Sequence, residues 1–311
     1  MGFFVFLPLV LPLTAWPVAR LAEQRLHPRT ATLMLSTVAG VLALCSTLCL
    51  ALVMVVGTAQ LPGNPLPDGW SDPEVRDAVP FEEVAGRAAI PALLAVVAAC
   101  ALTLWRHLRV RRLAHRALRG VAAPRVAVLP DPDPYAYALP GARPRIVVSR
   151  ALLERLAPGE RRALFAHERA HLAGRHHRFL LVVQLAARAN PFLRPLRTAV
   201  GYAAERWADE DAARAIGDRR AMARAIGKAA LVSRGAPAAT LAGLAAAPGP
   251  VPRRVAALLG PPPPAPSGWP PAFTAVGLAT WAAAAGTTVS ALSSANAAIT
   301  LFFLLHAATP W

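Results

Sequence analysis

Lysine is almost missing from these 311 residues: Lys228 is the only one, and arginine supplies the rest of the 33 basic side chains. Acids are few as well, 17, and charged residues make up 16% of the chain against 55% apolar. So little charge, with a mean hydropathy of +0.42, excludes an ordinary water-soluble enzyme and a disordered tail. Cysteine is scarce: Cys45, Cys49 and Cys100 all fall inside apolar segments, which excludes a disulfide scaffold and reads as buried hydrophobes. Aromatics, 6% of the chain, do not interleave with the arginines, so the formal charge of +16 is no nucleic-acid footprint and no direct nucleic-acid partner is expected. No basic leader precedes the first apolar run and no small-x-small cleavage site follows it, so that run is read as retained. Phe6 stands where a myristoylation motif at Gly2 wants Ser or Thr.

What the chain has in abundance is long apolar runs, and about 20 helical residues cross a bilayer. Four are legible: residues 3–18, shortened and kinked by Pro8, Pro12 and Pro17; 32–56; 88–105, closed by Trp105; and 273–305. The last is longer than one crossing needs and reads as a tilted span with an extension or as a tight pair. Arg20, Arg25 and Arg29 lie between the first two runs, and Arg106, Arg109, Arg111, Arg112, Arg116 and Arg119 follow the third. The intervening loop, about 58–85, carries Asp68, Asp72, Glu74, Asp77, Glu82 and Glu83 against Arg76. Cations gather on the cytoplasmic side, so the chain is expected in the cell membrane, multi-pass, with the arginine-rich segments inside and both termini outside. The domain plan is a membrane region (1–105), a cytoplasmic domain (106–269) and a carboxy-terminal span with extension (270–311). The proline run from Pro261 to Pro266 is a stiff linker between the last two.

The cytoplasmic segment opens with short β-type runs, 125–129, 135–139 and 145–148, separated by Pro, Asp and Gly turn signals. Apolar spacing then predicts one helix from about Ala157 to Ala189, ended by Asn190 and Pro191, and further helices over 196–216 and 218–232. The first of these contains His167-Glu168-Arg169-Ala170-His171, the HExxH pattern. Residues four apart share a helix face, so both imidazoles can reach one zinc ion while Glu168 stands beside them near a bound water. A third ligand is required, and Glu205 is the best placed by sequence, with Asp209 one turn on as acceptor for the outer nitrogen of a ligand histidine. His176 and His177 read as supporting residues of that site or of a polar face.

These residues resemble the integral-membrane zinc metallopeptidases that include the BlaR/MecR antirepressors and the Ste24/HtpX proteases. Tyr135-Ala136-Tyr137-Ala138-Leu139-Pro140-Gly141 is similar to their substrate-aligning strand, Ile146 to Ser149 precedes the helix, and His167 to His171 is followed by Glu205-x-x-Ala208-Asp209. The resemblance implies an α-helical membrane protein with a cytoplasmic α+β zincin-like metallopeptidase domain. It implies Zn2+ held by His167, His171 and Glu205, Glu168 as general base, and Tyr135, Ala136, Tyr137, Ala138 and Leu139 as the substrate-binding strand. Two departures stand out: no penicillin-binding domain follows the last span, and His176 occupies the position where relatives often carry Asp. The oxyanion stabiliser is open among Arg214, Arg219 and Arg220.

The expected function is therefore a membrane-embedded zinc endopeptidase acting on a protein or peptide at the cytoplasmic face of the lipid bilayer. A transcriptional repressor in a signalling pathway is the leading substrate, and turnover of membrane proteins is the alternative. A non-enzymatic signal transducer of the same shape is the further rival, and the intact Glu168 speaks against it.

Overall fold

The computed structural model describes residues 7–63, 66–76, 82–121, 125–233, 250–263 and 274–309. The expected boundary at 269/270, Pro264 and Pro266 lie outside them. The first apolar run forms no single span among the described residues: a helical turn (Leu7–Val10) and a 3-10 turn (Leu11–Thr14) lead into helix α1 (Ala15–Arg25). Pro8, Pro12 and Pro17 each remove a main-chain donor, which is what keeps the pieces short.

Three helices among the described residues are long and apolar enough to cross a membrane. They belong to α2 (Pro28–Ala59), α3 (Glu82–Ala117) and a carboxy-terminal helix (Ala275–Ala307). The last of these is one continuous helix, its start capped by the Thr274 side chain accepting from the Gly277 N–H, so the paired reading of that run does not hold. Helix α2 is the centre of the bundle, and its backbone meets that of α3 at Gly57 and Gly86. A Cβ at either glycine would collide with the backbone of the other.

Helix α3 does not stop where its apolar run ends. It carries its arginine-rich end to Ala117, where His115 Nε2 lies 3.0 Å from Pro140 O and Arg145 Nη1 donates to Leu118 O at 3.0 Å. Those bonds fasten a three-stranded sheet, β1 (Val126–Leu129), β2 (Ala136–Leu139) and β3 (Arg145–Ser149), of order β1-β3-β2. β1 runs parallel to β3, and β2 antiparallel with Ala136 opposite Val148 and Ala138 opposite Ile146. Alternation sorts the strands' side chains: Ala127, Leu139 and Val147 pack on Ala114 of α3 and Leu118 just past it, while Val148 packs on Leu152 of α4 (Arg150–Arg155) and Leu156 just past it.

The predicted helix over 157–189 is two helices, α5 (Pro158–Ala173) and α6 (His176–Ala189). Arg175 between them takes the left-handed conformation, φ 51° and ψ 37°, which ends the first helix and re-aims the second. Asn190 then accepts from the Phe192 N–H in the turn before α7 (Arg194–Ile216), and α8 (Arg219–Val232) and α9 (Val251–Leu259) complete the segment. The carboxy-terminal helix is accordingly α10. The largest core cluster joins Leu35, Val38 and Leu42 of α2 to Val183 and Ala186 of α6 and to Leu196, Ala199 and Val200 of α7. The spans and the helices that follow the HExxH pattern therefore share one interior, which fixes the site relative to the bundle.

Candidate metal centre

Helix α5 places the motif because its alanines do. Ala163 and Ala166 are buried against Ala212 and Ala213 of α7 and Met222 and Ala223 of α8, and such small side chains let the helix axes approach closely. The start of α5 is held by Glu160, whose carboxylate accepts the Ala157 N–H at 2.7 Å and an N–H from Lys228, the only lysine, at 2.8 Å. With α5 locked to α7, His167 and His171 face Glu205. His167 Nε2 lies 3.1 Å from His171 Nε2 and 3.5 Å from Glu205 Oε2, and His171 Nε2 lies 3.5 Å from Glu205 Oε1. The three residues predicted as metal ligands thus converge as one potential metal-binding group.

The outer ring atoms show what the inner ones are for. His167 Nδ1 lies 3.1 Å from Asp209 Oδ1, so that nitrogen carries the hydrogen, and Nε2 presents a lone pair when the ring is neutral. His171 Nδ1 lies 2.9 Å from Nδ1 of the fully buried His176. If His171 is the donor in that contact, its Nε2 is also a lone pair. With both rings neutral, two lone pairs and a carboxylate face one another at 3.1–3.5 Å, an arrangement that a cation between them satisfies. Donors about 2.0–2.1 Å from a tetrahedral zinc stand about 3.3 Å apart, so the separations suit zinc.

Each pKa in the cluster follows from burial set against specific neighbours. Burial opposes charge on His167, but the Asp209 and Glu205 carboxylates overcome it and raise the group to about 10. The same pull on a proton is a pull on a metal cation. Burial lowers His171 to about 4 and His176 to about 3, leaving both neutral. Glu205 would be raised by burial, yet Arg254 and the histidines hold its carboxyl well below the usual range. For Glu168 burial, with the Glu205 charge adding to it, outweighs the pull of His167, Arg254 and the Ala138 N–H and pushes it up to about 7, where a group can both take and return a proton near neutrality.

Arg254, on α9, is the residue that sequence reasoning missed. Its guanidinium donates to both oxygens of Asp209, at 2.8 and 2.6 Å, and Nη1 lies 2.9 Å from Glu205 Oε2. The three arginines named as stabiliser candidates are engaged elsewhere or exposed. Arg214 pairs with Asp211 at 3.0 Å, Arg219 with Glu210 and the carbonyls of Ala257 and Leu258, and Arg220 faces solvent. A motif search could have found the short helix from Pro252 at its second position and the apolar spacing of Val251, Val255 and Leu258. Nothing local marks Arg254 as the arginine that enters.

Of the two histidines after the motif, His176 supports the site and His177 does not. The His176 ring is clamped by Trp207, ring centroids 4.5 Å apart, while a Cβ on Gly174 would collide with its Nε2. The tight Gly174–Arg175 turn is thus what lets His176 fold back under His171. His177 faces α3, where burial and the nearby Arg111 lower it to about 4.

The predicted substrate strand is β2 with Tyr135 just before it. The Ser149 N–H donates to Tyr135 O, so by alternation Tyr137 and Leu139 also turn their main chain to β3, and Ala136 and Ala138 turn theirs outward. The outward Ala138 N–H is near enough to the Glu168 carboxylate to favour its charged form, which brings the strand's free edge to the motif. Tyr135 donates its hydroxyl to Asp131 at 3.0 Å and Tyr137 is half-buried, so their side chains serve the sheet.

Residues 101–189 match Peptidase family M48. A 90-residue stretch is 37% identical to the Protease HtpX homolog of Moorella thermoacetica, covering 28% of this chain and 29% of that protein. The chain thus spans less than a third of the length of the curated relative it matches. The family match holds α5 and α6 with His167, Glu168, His171 and His176, and ends before Glu205, Asp209 and Arg254. No solved structure matches the chain.

Proposed function

We propose that this chain, whose residues 101–189 carry the protease likeness of Peptidase family M48, is a zinc endopeptidase working at the cytoplasmic face of the membrane. The observation that carries the reading is the convergence of His167, His171 and Glu205 with a base, Glu168, on the same helix turn and a strand edge beside that base. His167, His171 and Glu205 would hold the zinc, which when bound polarises a peptide carbonyl and acidifies water. Asp209 and His176 keep the two imidazoles oriented, and Arg254 neutralises the buried Asp209 and Glu205 carboxylates. Glu168 takes a proton from the attacking water and returns it to the leaving amine, a task suited to a group titrating near 7. The outward main chain of Ala136 and Ala138 pairs with an extended substrate backbone, giving affinity with little dependence on sequence.

The depth of the site supports a substrate at the membrane surface. His177 faces Arg111 and Cys100 Sγ bonds Leu185 O at 3.7 Å, so α6 runs antiparallel to α3. Cys100 lies five residues from Trp105, about 7.5 Å along the axis, and His176 nine residues before Leu185, about 13.5 Å. His176, which touches the metal group, then stands roughly 6 Å beyond Trp105 on the arginine-rich side. A site so close to the headgroups suits the juxtamembrane part of another membrane protein; nothing in the geometry singles out a soluble repressor. Comparing protein fragments from cells carrying the parental chain or Glu168→Gln tests this. Fragments dependent on Glu168 and drawn from membrane proteins are expected, whereas fragments of a soluble transcription factor alone would restore the repressor reading.

A further inference from the structure

A cavity of about 290 Å³ lies between the end of α1, the start of α2, α7 and α9, and no member of the metal group lines it. Glu23 and Arg25 of α1 and Arg206 of α7 stand in its wall, and its room comes from Ala31 and Ala203 beside Tyr202. Arg206 follows Glu205 directly, but one step along a helix turns the side chain by about 100°, which takes Arg206 out of the metal centre. The wall carries more positive charge than its carboxylates cancel. Arg206, only 8% exposed, pairs through Nη2 with Glu210 at 2.9 Å, but Glu210 also takes Arg219. Arg206 Nη1 is buried without a hydrogen-bond partner among the described residues. Glu23 is taken by Arg253, 3.3 Å away, whose guanidinium lies 4.4 Å from the centre of the Tyr202 ring. The guanidiniums of Arg25, Arg206, Arg219 and Arg253 thus meet only the carboxylates of Glu23 and Glu210, an excess of two positive charges. A buried N–H left without an acceptor is a cost that an anion bound at Arg206 removes.

We propose that this cavity binds a phosphate group, presented by an anionic phospholipid of the bilayer. The planar fork of arginine matches phosphate oxygens, and the excess of positive charge favours a headgroup of net negative charge over a zwitterionic one. Depth selects a lipid as the source. Pro28, which lines the cavity, begins α2 four residues, about 6 Å, before the apolar run that starts at 32. The headgroup layer on each side of the hydrocarbon core is roughly 5–7 Å thick, so the cavity stands at the level of the lipid phosphates. It opens on the arginine-rich side, and basic pockets between helices there are suited to anionic headgroups. An apolar cavity of roughly 150 Å³ holds a benzene ring, so this one has room for a phosphate with its glycerol.

Neither zinc nor turnover is needed to test this. Native mass spectrometry of the full-length protein in detergent measures binding of phosphatidylglycerol, of phosphatidylcholine with the same chains, and of glycerol phosphate. One phosphatidylglycerol per chain is expected to bind about tenfold or more tighter than phosphatidylcholine. Arg25→Gln, at the exposed rim, should weaken it about fivefold, and Arg206→Gln, which removes a buried charged donor, about ten- to a hundredfold. Arg112→Gln removes an equal charge from the exposed, arginine-rich end of α3, outside the cavity, and should change binding by less than about twofold. Should Arg206→Gln fail to fold in a thermal scan, Arg25→Gln against Arg112→Gln decides. Equal affinity for phosphatidylglycerol and phosphatidylcholine, or equal losses in Arg25→Gln and Arg112→Gln, would overturn the site. Glycerol phosphate bound as tightly as phosphatidylglycerol would overturn the lipid as the source of the phosphate.

Discussion

Replacing Arg254 by methionine removes the guanidinium that bridges both buried carboxylates of the centre. Asp209 is wholly buried and takes two bonds from Arg254, at 2.8 and 2.6 Å, while Glu205 takes a third at 2.9 Å. Without the guanidinium, Asp209 keeps only His167 at 3.1 Å, and Glu205 keeps the two histidines at 3.5 Å. Breaking a buried pair by deleting one partner costs about 3–5 kcal/mol, because the remaining charge stays buried. For a unit of this size each kcal/mol moves Tm by about 2–4 °C, so Arg254→Met should lower it by on the order of 10 °C. The assay is thermal unfolding of the metal-free protein in detergent. Adding Asp209→Asn, which replaces the stranded carboxylate with a neutral amide, should recover part of the loss, and that non-additivity is the signature of a coupled pair. A Tm within about 2 °C of the parental value, or strictly additive losses, would refute the claim that this contact organises the centre.

Glu168 sits at about 7 because of burial, above its ordinary 4.5. A carboxyl whose pKa rises on folding favours the folded state at low pH and loses that advantage as pH climbs from about 4.5 through about 7. Metal-free Glu168→Gln should therefore match the parental stability near pH 4.5 and exceed it at pH 8, by a few kcal/mol; equal stabilities at pH 8 would contradict the assignment. Gly174→Ala forces a Cβ onto His176 Nε2, and His176→Ala removes the partner of His171 altogether. Both should weaken zinc binding by about 10- to 100-fold in chelator competition, and unchanged affinity in both would show that His176 does not orient the ligand. A cysteine placed in the 58–85 loop should react with an impermeant reagent from outside the cell and one near Arg119 should not, the reverse pattern putting the site on the outer face.

The parts of the centre that were legible in the sequence are those written locally. His167 and His171 are one helical turn apart, and Glu205 and Asp209 are likewise four apart, so spacing alone puts each pair on one face. The strands were legible because short β-type runs stand between Pro, Asp and Gly turn signals. What failed was long-range or conformational. Apolar spacing continues through Leu172 to Leu180, which hid the break, and an arginine in the left-handed region at 175 leaves no mark in composition. Gly174 was the available signal. Arg254 meets Asp209 across 45 residues, and among 33 basic side chains no spacing rule distinguishes it. The first apolar run kept its prolines visible, but their number, three within ten residues, was a stronger argument against one straight crossing than the run's hydropathy was for it.

Zinc-dependent cleavage at defined stoichiometry tests the central claim most directly. The purified protein is stripped of metal, zinc is returned in steps, and bound zinc and peptide cleavage are measured together in the parental chain, Glu168→Gln and His171→Ala. The account predicts cleavage that returns in the parental protein in proportion to zinc and is complete at one ion per chain. Glu168→Gln should bind the same single zinc and cleave nothing, and His171→Ala should lose most of the zinc. Cleavage by the stripped protein, parental turnover in Glu168→Gln, or full zinc occupancy in His171→Ala would contradict it.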